Sequence, residues 1–141
     1  MPRDLAAGPR QLPGLEPETA FYWTSGADGV LRIQCCEACG HWQHPPFPRC
    51  AKCASEDVAP RPVSGKGRIA SYTVNHEKWL PGLEVPFVFA AVELAEQAEL
   101  YVFTNILAPV ESVTRGMAVE VRFERHEDVW LPMFVPESAA P

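Results

Sequence analysis

The chain has 141 residues, of which 47% are apolar and 15 are prolines, and its formal net charge is −6. This length is enough for one ordinary domain or two very small ones, and the apolar fraction excludes global disorder. The prolines favour short strands and loops over long helices.

The charge is unevenly distributed along the chain. Residues 1–31 contain two basic and four acidic residues, a net charge of −2. Residues 32–68 contain six basic and three acidic residues, a net charge of +3. Residues 69–141 contain four basic and eleven acidic residues, a net charge of −7. General nucleic-acid binding is disfavoured because an acidic chain gains little from counterion release on a polyphosphate. The basic middle segment suits one anionic ligand or an acidic partner surface.

No targeting or membrane segment is recognisable in the sequence. Residues 1–15 mix polar, proline and apolar residues, and no apolar run approaches the roughly 20 residues that a membrane-spanning helix needs. We therefore expect a soluble, cytoplasmic protein. In a reducing compartment, clustered cysteines are more often metal ligands than disulfides.

The N-terminal part is predicted to be a flexible tail over residues 1–17, followed by a short helix. Glu18–Ser25 fits two helical turns that Gly26 ends. Two turns cannot hide three adjacent large rings against one surface, so the aromatic residues either pack on their own domain or partly meet another subunit. These consecutive residues are Phe21, Tyr22 and Trp23.

The second half of the chain has a β pattern. Ala59–Pro62 indicates a boundary, so a ribbon-containing unit is expected over residues 18–60, a barrel over 61–137 and a tail over 138–141. Five short segments without long helices between them predict a small antiparallel barrel or sandwich. Pro132 indicates an edge or a bulge in the last segment. The predicted strands are Ile69–Asn75, Phe87–Leu94, Glu99–Leu107, Ala118–Phe123 and Val129–Val135.

All five cysteines lie between Cys35 and Cys53, after a predicted short strand at Val30–Gln34. Two C-x2-C pairs are separated by ten residues, and two such knuckles facing each other make a tetrahedral sulfur site that suits structural zinc. Iron in a rubredoxin-like site is the main alternative. Gly40 supports the first knuckle, whereas Ala54 follows the second. The predicted ligands are Cys36, Cys39, Cys50 and Cys53.

Cys35 is left over from this set. It is either a small residue at the end of a strand or a nucleophile that requires a neighbouring base. His41 and His44 are near in sequence, but the pattern does not bring them to Cys35. A four-thiolate zinc site has no open position for water, so no catalytic residue is predicted.

The order of helix, cysteine knuckles and β-barrel resembles a known two-part family. The landmarks are Tyr22-Trp23, LRIQCCEACG, PPFPRC, VSGKGRIASYTV, VPFVFAAVEL, TRGMAVEVRF and LPMFVPE. Together they resemble the rubredoxin-like zinc ribbon plus OB-fold family, known as domain of unknown function number thirty-five. The fold expected is therefore mainly β: a short N-terminal helix, a zinc ribbon and a five-stranded OB-fold barrel. Cys35 and Ala54 depart from the family's pattern without removing a ligand.

The resemblance implies a non-catalytic accessory subunit of a thiolase-superfamily enzyme acting on acyl-CoA, namely a thiolase, an acyltransferase or a steroid side-chain retro-aldolase. The small subunit supports assembly and activity, and helps to form the channel for CoA. On this basis, a set of basic residues would contact CoA phosphates or an acidic surface of the partner. A set of aromatic and apolar residues, on the helix and in the loop Glu77–Pro86, would contact the partner itself. A lid over the barrel mouth is the alternative for that loop. The basic set is Arg49, Lys52, Arg61, Lys66 and Arg68; the aromatic set is Phe21, Tyr22 and Trp23 with Trp79 and Leu80.

Two other functions are compatible with parts of the pattern. An OB-fold that binds single-stranded nucleic acid needs a basic groove with stacking aromatic residues, and the barrel has the aromatic residues but a charge of −7. A free-standing enzyme or an iron rubredoxin is the third possibility. The candidate stacking residues are Tyr72, Phe87, Phe89, Tyr101 and Phe103.

Overall fold

The computed structural model describes residues 11–80 and 83–138. Most of the tail predicted over residues 1–17, and residues 139–141 of the tail predicted over 138–141, therefore lie outside the described residues. The described chain forms one α-helix, two 3-10 turns and eight strands. These are α1 (Ala20–Thr24), 3-10 turns at Ser25–Asp28 and Val110–Ser112, β1 (Arg32–Cys36), β2 (Trp42–Gln43), β3 (Val58–Pro62), β4 (Lys66–Asn75), β5 (Phe87–Leu94), β6 (Tyr101–Ile106), β7 (Ala118–His126) and β8 (Val129–Pro136).

The first sheet is a three-stranded ribbon with the order β2-β1-β3. Its edge strand β3 is the segment Ala59–Pro62, expected to be a boundary, extended by one residue and paired antiparallel to β1 from Val58 to Pro62. The two prolines are two residues apart, so their nitrogens, which carry no N–H, both point away from β1 at the free edge of the sheet. The ribbon sheet therefore runs to Pro62.

The second sheet is a closed barrel with the order β4-β5-β6-β8-β7, closed by pairing of β7 with β4. All neighbours are antiparallel except β6 and β8, which pair in parallel at Ile106 and Phe134. The expected five-stranded OB-fold barrel is confirmed. Burial alternates along β5, where Val88, Ala90 and Val92 are buried, although its sequence predicts a strand as a continuous apolar run.

One apolar core joins the helix, the ribbon and the barrel. Tyr22 of α1, Leu31, which precedes β1, and Ile33 of β1 belong to the same buried cluster as the barrel residues Val92 and Phe134. The helix therefore packs as part of the domain. None of the helices in the described ranges is long and apolar enough to cross a membrane.

The predicted end of the helix at Gly26 is wrong. The chain continues from α1 into the 3-10 turn Ser25–Asp28 and leaves it at Gly29, which has a φ of +78°. Gly26 instead lies against the ring of Phe123 and Cβ of Trp130, where a side chain would collide. Its role is close packing onto the barrel, a tertiary effect that local sequence does not reveal.

The side chain of Gln97 connects the ribbon to the barrel by two hydrogen bonds. Oε1 of Gln97, in the turn between β5 and β6, accepts from the backbone N–H of Trp42 at 3.0 Å. Nε2 of Gln97 donates to the carbonyl of Trp42 at 2.8 Å. The amide thus reproduces the two hydrogen bonds that a neighbouring strand would offer to β2.

Candidate metal centre and partner surfaces

The two cysteine knuckles have nearly identical backbones. In the first, Gly40 has a φ of +80° and its N–H donates to the carbonyl of Cys36 at 2.8 Å. In the second, Ala54 has a φ of +65° and its N–H donates to the carbonyl of Cys50 at 2.8 Å. The turn therefore requires the left-handed conformation at both positions, and Ala54 adopts it despite its Cβ.

The four predicted ligands converge on one point. Their Sγ atoms all lie within 4.8 Å of one another. Sγ of Cys36 is 3.6 Å from that of Cys53, and Sγ of Cys39 is 3.6 Å from that of Cys50. A tetrahedron of sulfurs with metal–sulfur bonds of about 2.3 Å has edges of about 3.8 Å, so the donor set fits a four-coordinate metal such as zinc.

Backbone donors near the second knuckle favour a thiolate. Desolvation opposes ionisation of Cys50, but N–H groups of Cys53 and Lys52, at 3.5 and 3.3 Å from its Sγ, outweigh this effect and lower the pKa to about 7. A thiolate is the form that binds metal. Cys36 and Cys50 are buried whereas Cys39 and Cys53 are exposed, so the site lies at the surface of the ribbon.

Two buried glutamines hold the loop between the knuckles. Nε2 of Gln43 donates to Oε1 of Gln34 at 2.6 Å, and Gln34 in turn exchanges hydrogen bonds of 2.9 Å with both backbone groups of Phe47. Gln43 also accepts from the N–H of Ala51 at 2.9 Å and donates to the carbonyl of Arg49 at 3.0 Å. Sequence reasoning missed this network, since its only local signal is a polar residue at an inward strand position.

Cys35 lies outside the metal set. Desolvation, followed by the charge of Glu37, raises the pKa of the Cys35 thiol, which disfavours the reactive thiolate. His41 and His44 are also outside the set. The ring of His44 packs against Tyr22 with 4.6 Å between centroids, and burial lowers its pKa to about 4.

The predicted basic set is spread over several elements. Arg61 on β3 pairs with Glu37 at 2.7 Å, and Arg49 approaches Glu56 at 3.6 Å. Lys66 and Arg68, at the start of β4, line a cleft of about 310 Å³. Glu93 and Glu137 line the same cleft, and Lys66 lies 3.5 Å from Glu137, so the two cations there are offset by two carboxylates. Lys52 lies between the two cysteines of the second knuckle, Cys50 and Cys53.

The predicted aromatic set is divided by its burial. Tyr22 is buried in the core, which also raises its pKa, so its side chain is not available to a partner. Of the two alternatives given for the rings of the helix, Tyr22 therefore packs within its own domain. Phe21 and Trp23 are half-buried against the core. Trp79 is 71% exposed, with Nε1 donating to Oδ1 of Asn75 at 2.9 Å, and Leu80 is also exposed.

Comparison with known families matches both halves of the chain. Residues 23–59 match the family described as the ChsH2 rubredoxin-like zinc ribbon domain, and residues 60–124 match the ChsH2 C-terminal OB-fold domain.

Two curated relatives are similar over most of this chain. The probable enoyl-CoA hydratase alpha subunit of Thermomonospora curvata is 34% identical over 128 residues, which cover 90% of this chain and 40% of the relative. The 3-oxo-4,17-pregnadiene-20-carboxyl-CoA hydratase alpha subunit of Mycobacterium tuberculosis is 38% identical over 96 residues, covering 68% and 30%. The chain thus spans less than half the length of these relatives.

Two solved structures share the fold. A chain of the Ltp2-ChsH2(DUF35) aldolase superposes with a TM-score of 0.79 at 32% identity, covering 89% of this chain and 98% of that chain. A DUF35-family protein of unknown function from Sulfolobus solfataricus superposes with a TM-score of 0.60 at 14% identity, with 86% of each chain covered. From the two matched domains and the near-complete match to the aldolase chain, this protein belongs to the ChsH2-type DUF35 family of zinc ribbon plus OB-fold proteins.

Proposed function

We propose that this chain is a non-catalytic accessory subunit of a thiolase-like enzyme that acts on acyl-CoA. The observation that carries the proposal is the match to a chain of the Ltp2-ChsH2(DUF35) aldolase, which spans 98% of that chain at 32% identity. The curated relatives support the same class of substrate, since both are named as alpha subunits of hydratases that act on CoA thioesters. The larger partner supplies the catalytic groups.

The metal centre has a structural role in this proposal. Four thiolates fill a tetrahedral coordination sphere, leaving no position at which a metal-bound water attacks a substrate. We propose zinc as the metal, with iron as the competing occupant of the same sulfur set. The ligands would clamp the ribbon, and the two glutamines would fix the loop between the knuckles.

The substrate class is proposed from the names of the relatives. The mycobacterial relative is named for a pregnadiene carboxyl-CoA, which is a steroid thioester. We therefore propose an acyl-CoA with a steroid or similar bulky acyl group, cleaved by the partner through a retro-aldol or thiolytic step. Single-strand nucleic-acid binding is not favoured, because the barrel's charge of −7 repels a polyphosphate.

The test is co-expression and purification of this chain with a thiolase-like protein from the same organism. We expect a stable hetero-oligomer, and cleavage of the acyl-CoA by the partner that increases when this chain is added. Equal cleavage with and without the chain, together with no complex in size-exclusion chromatography, would overturn the proposal. Metal analysis of the purified complex should find about one zinc per chain.

The contribution of the basic set has a separate test. Lys52→Glu and Arg61→Glu reverse charge in the segment that we propose to meet CoA phosphates or an acidic partner surface. Arg115→Glu reverses charge at an exposed position outside this set and is the matched control. We expect weaker complex formation or a higher KM for acyl-CoA in the first two variants only. Unchanged values in all three would remove the basic set from the site.

A further inference from the structure

The outer face of β5 and β6 has an unusual composition for a barrel surface. Inward positions of these strands, such as Val92 and Val102, are buried, so the alternating positions face outward. In an antiparallel sheet with one solvated face, outward positions are normally polar. Here four of them are large aromatic residues: the half-buried Phe87 and the exposed Phe89, Tyr101 and Phe103.

This surface, which we call the aromatic face, comprises Phe89, Tyr101, Phe103 and Leu107. Their exposed fractions are 47%, 37%, 66% and 42%. The rings of Phe89 and Phe103 are stacked, with centroids 5.9 Å apart and planes inclined by 8°. Since Phe89 is opposite Asn105 and Phe103 is opposite Ala91, the stack runs diagonally across the two strands.

The outer face of β7 shows what an ordinary surface of this barrel looks like. Its outward positions include Glu120 and Arg122, which form an ion pair at 3.2 Å. The same barrel therefore has one charged, solvated strand and one pair of strands with exposed rings. A contiguous apolar patch of this kind on a small domain indicates an interaction surface.

Two cavities flank the stacked pair. One, of about 440 Å³, lies towards the helix and β8 and is lined by Trp23, Phe103 and Met133 with Phe89. The other, of about 390 Å³, is lined by Phe87, Phe89 and Leu107 with Glu84. Phe89 lines both, so the aromatic face is a ridge between two depressions. Such relief suits interdigitation with side chains of another protein.

The charges beside the aromatic face decide what can occupy it. Glu84 lines the second cavity, and Glu93 is opposite Tyr101 in the strand register. The backbone N–H of Glu99 donates to the carboxylate of Glu93 at 2.7 Å, which places a second acidic residue at the Tyr101 end of the face. The neighbouring cation is Arg68, opposite Glu93 on β4, and its guanidinium donates to the carbonyl of Gly116 at 3.0 Å. The border of the face is therefore mainly acidic.

An acidic border excludes two otherwise plausible occupants. Stacked aromatic residues on an OB-fold are typical of single-strand binding, but that function combines them with a basic groove. A second copy of this chain would bring the same carboxylates against each other. A protein with an apolar centre and basic residues around it satisfies both the rings and the charges.

We propose that the aromatic face is the docking surface for the thiolase-like subunit, and that the matching surface of that subunit is apolar with a basic border. This inference rests on the proposed function and adds to it the location of the interface. Trp23, one of the residues predicted from the sequence to meet a partner, lines the cavity beside the stack and extends the same surface.

The experiment measures the affinity of the full-length chain for the partner subunit by biolayer interferometry. Phe103→Ser removes the most exposed ring of the face, and Phe47→Ser removes a phenylalanine of nearly equal exposure, 64%, on the ribbon loop. We expect Phe103→Ser to weaken binding about tenfold or more, and Phe47→Ser less than twofold. Glu99→Lys should slow association several-fold, because it reverses a charge at the border.

Controls separate this inference from the function on which it rests. If the wild-type chain forms no complex, the proposed function fails. If the complex forms and Phe103→Ser binds as tightly as the wild type, only the aromatic face is wrong as the interface. Oligonucleotide binding at low salt that Phe103→Ser abolishes would assign the face to nucleic acid instead, and a wild-type homodimer that the variant abolishes would assign it to self-association. Unchanged metal content and thermal unfolding in each variant verify that it is folded.

Discussion

In the ribbon, the strands bury two glutamines and a cysteine alongside Ile33, whereas the barrel strands bury mostly apolar side chains, with Thr104 and His126 as polar exceptions. The barrel can therefore be stabilised by apolar burial, which needs only a correct alternation of side chains. The ribbon has too little apolar surface for this, and its shape depends on four sulfur ligands and a glutamine network. The two halves thus belong to one chain but have different sources of stability, and the predictions below test that difference.

The largest effect is expected from removing a metal ligand. Cys36→Ser should abolish metal binding and unfold the ribbon, because apparent binding free energies of structural zinc in small peptides are about 10–16 kcal/mol. The barrel should keep its β structure. Metal analysis and amide hydrogen exchange resolved along the chain would check both halves.

The adjacent cysteine is the matched control for this prediction. Cys35→Ser should retain the metal, because Cys35 lies outside the four converging sulfurs. Loss of metal from the Cys35 variant, or full retention by the Cys36 variant, would contradict the assignment of the ligands.

A core truncation probes the barrel instead. Phe134 is fully buried and belongs to the cluster shared by all parts of the domain. Phe134→Ala should lower the free energy of unfolding by about 3–5 kcal/mol, measured by urea titration. Metal content of the folded fraction should not change. A cost below 1 kcal/mol would mean that the barrel does not depend on its apolar core as argued above.

Acid should affect the ribbon side of the core through His44. Its folded pKa of about 4 lies below the ordinary value of 6.5, so the unfolded chain binds the proton more readily. The contribution of neutral His44 to the free energy of unfolding is complete above pH 6.5. It is lost as the pH falls from 6.5 towards 4, by about 3 kcal/mol at most. Urea unfolding at pH 7.5 and 5 should therefore show a larger loss for the wild type than for His44→Gln. Acid also protonates metal-binding thiolates, but it does so in both proteins, so an equal loss would show that His44 is not responsible.

The smallest effect is expected at the connection between the halves. Gln97→Ala removes both hydrogen bonds to Trp42 and should destabilise the protein by about 1–2 kcal/mol. Gln97→Glu keeps an acceptor for the Trp42 N–H but loses the donor to its carbonyl, so its effect should be intermediate in amide exchange at Trp42. Equal protection of that amide in all three proteins would show that the ribbon is held by the shared core alone.

Sequence reasoning succeeded where the determining interactions are local. Barrel strands follow from alternation or from short apolar runs, and the apolar run of β5 predicts the bounds that it has, Phe87–Leu94. The sulfur set follows from the C-x2-C spacing. In contrast, β3 was hidden because prolines normally indicate a loop, and only its position at a sheet edge makes them acceptable. Gly26 and Gln97 act through residues distant in sequence, so no local pattern could identify their roles.

The connection through Gln97 has an evolutionary consequence. A continuous sheet between ribbon and barrel could be altered only by changing many paired residues together. An amide that reaches across from a turn is one residue, replaceable in a single substitution while both halves keep their own folds. Because the shared apolar core still joins the halves, a change at this one position would alter how firmly the ribbon is held on the barrel without a redesign of either half.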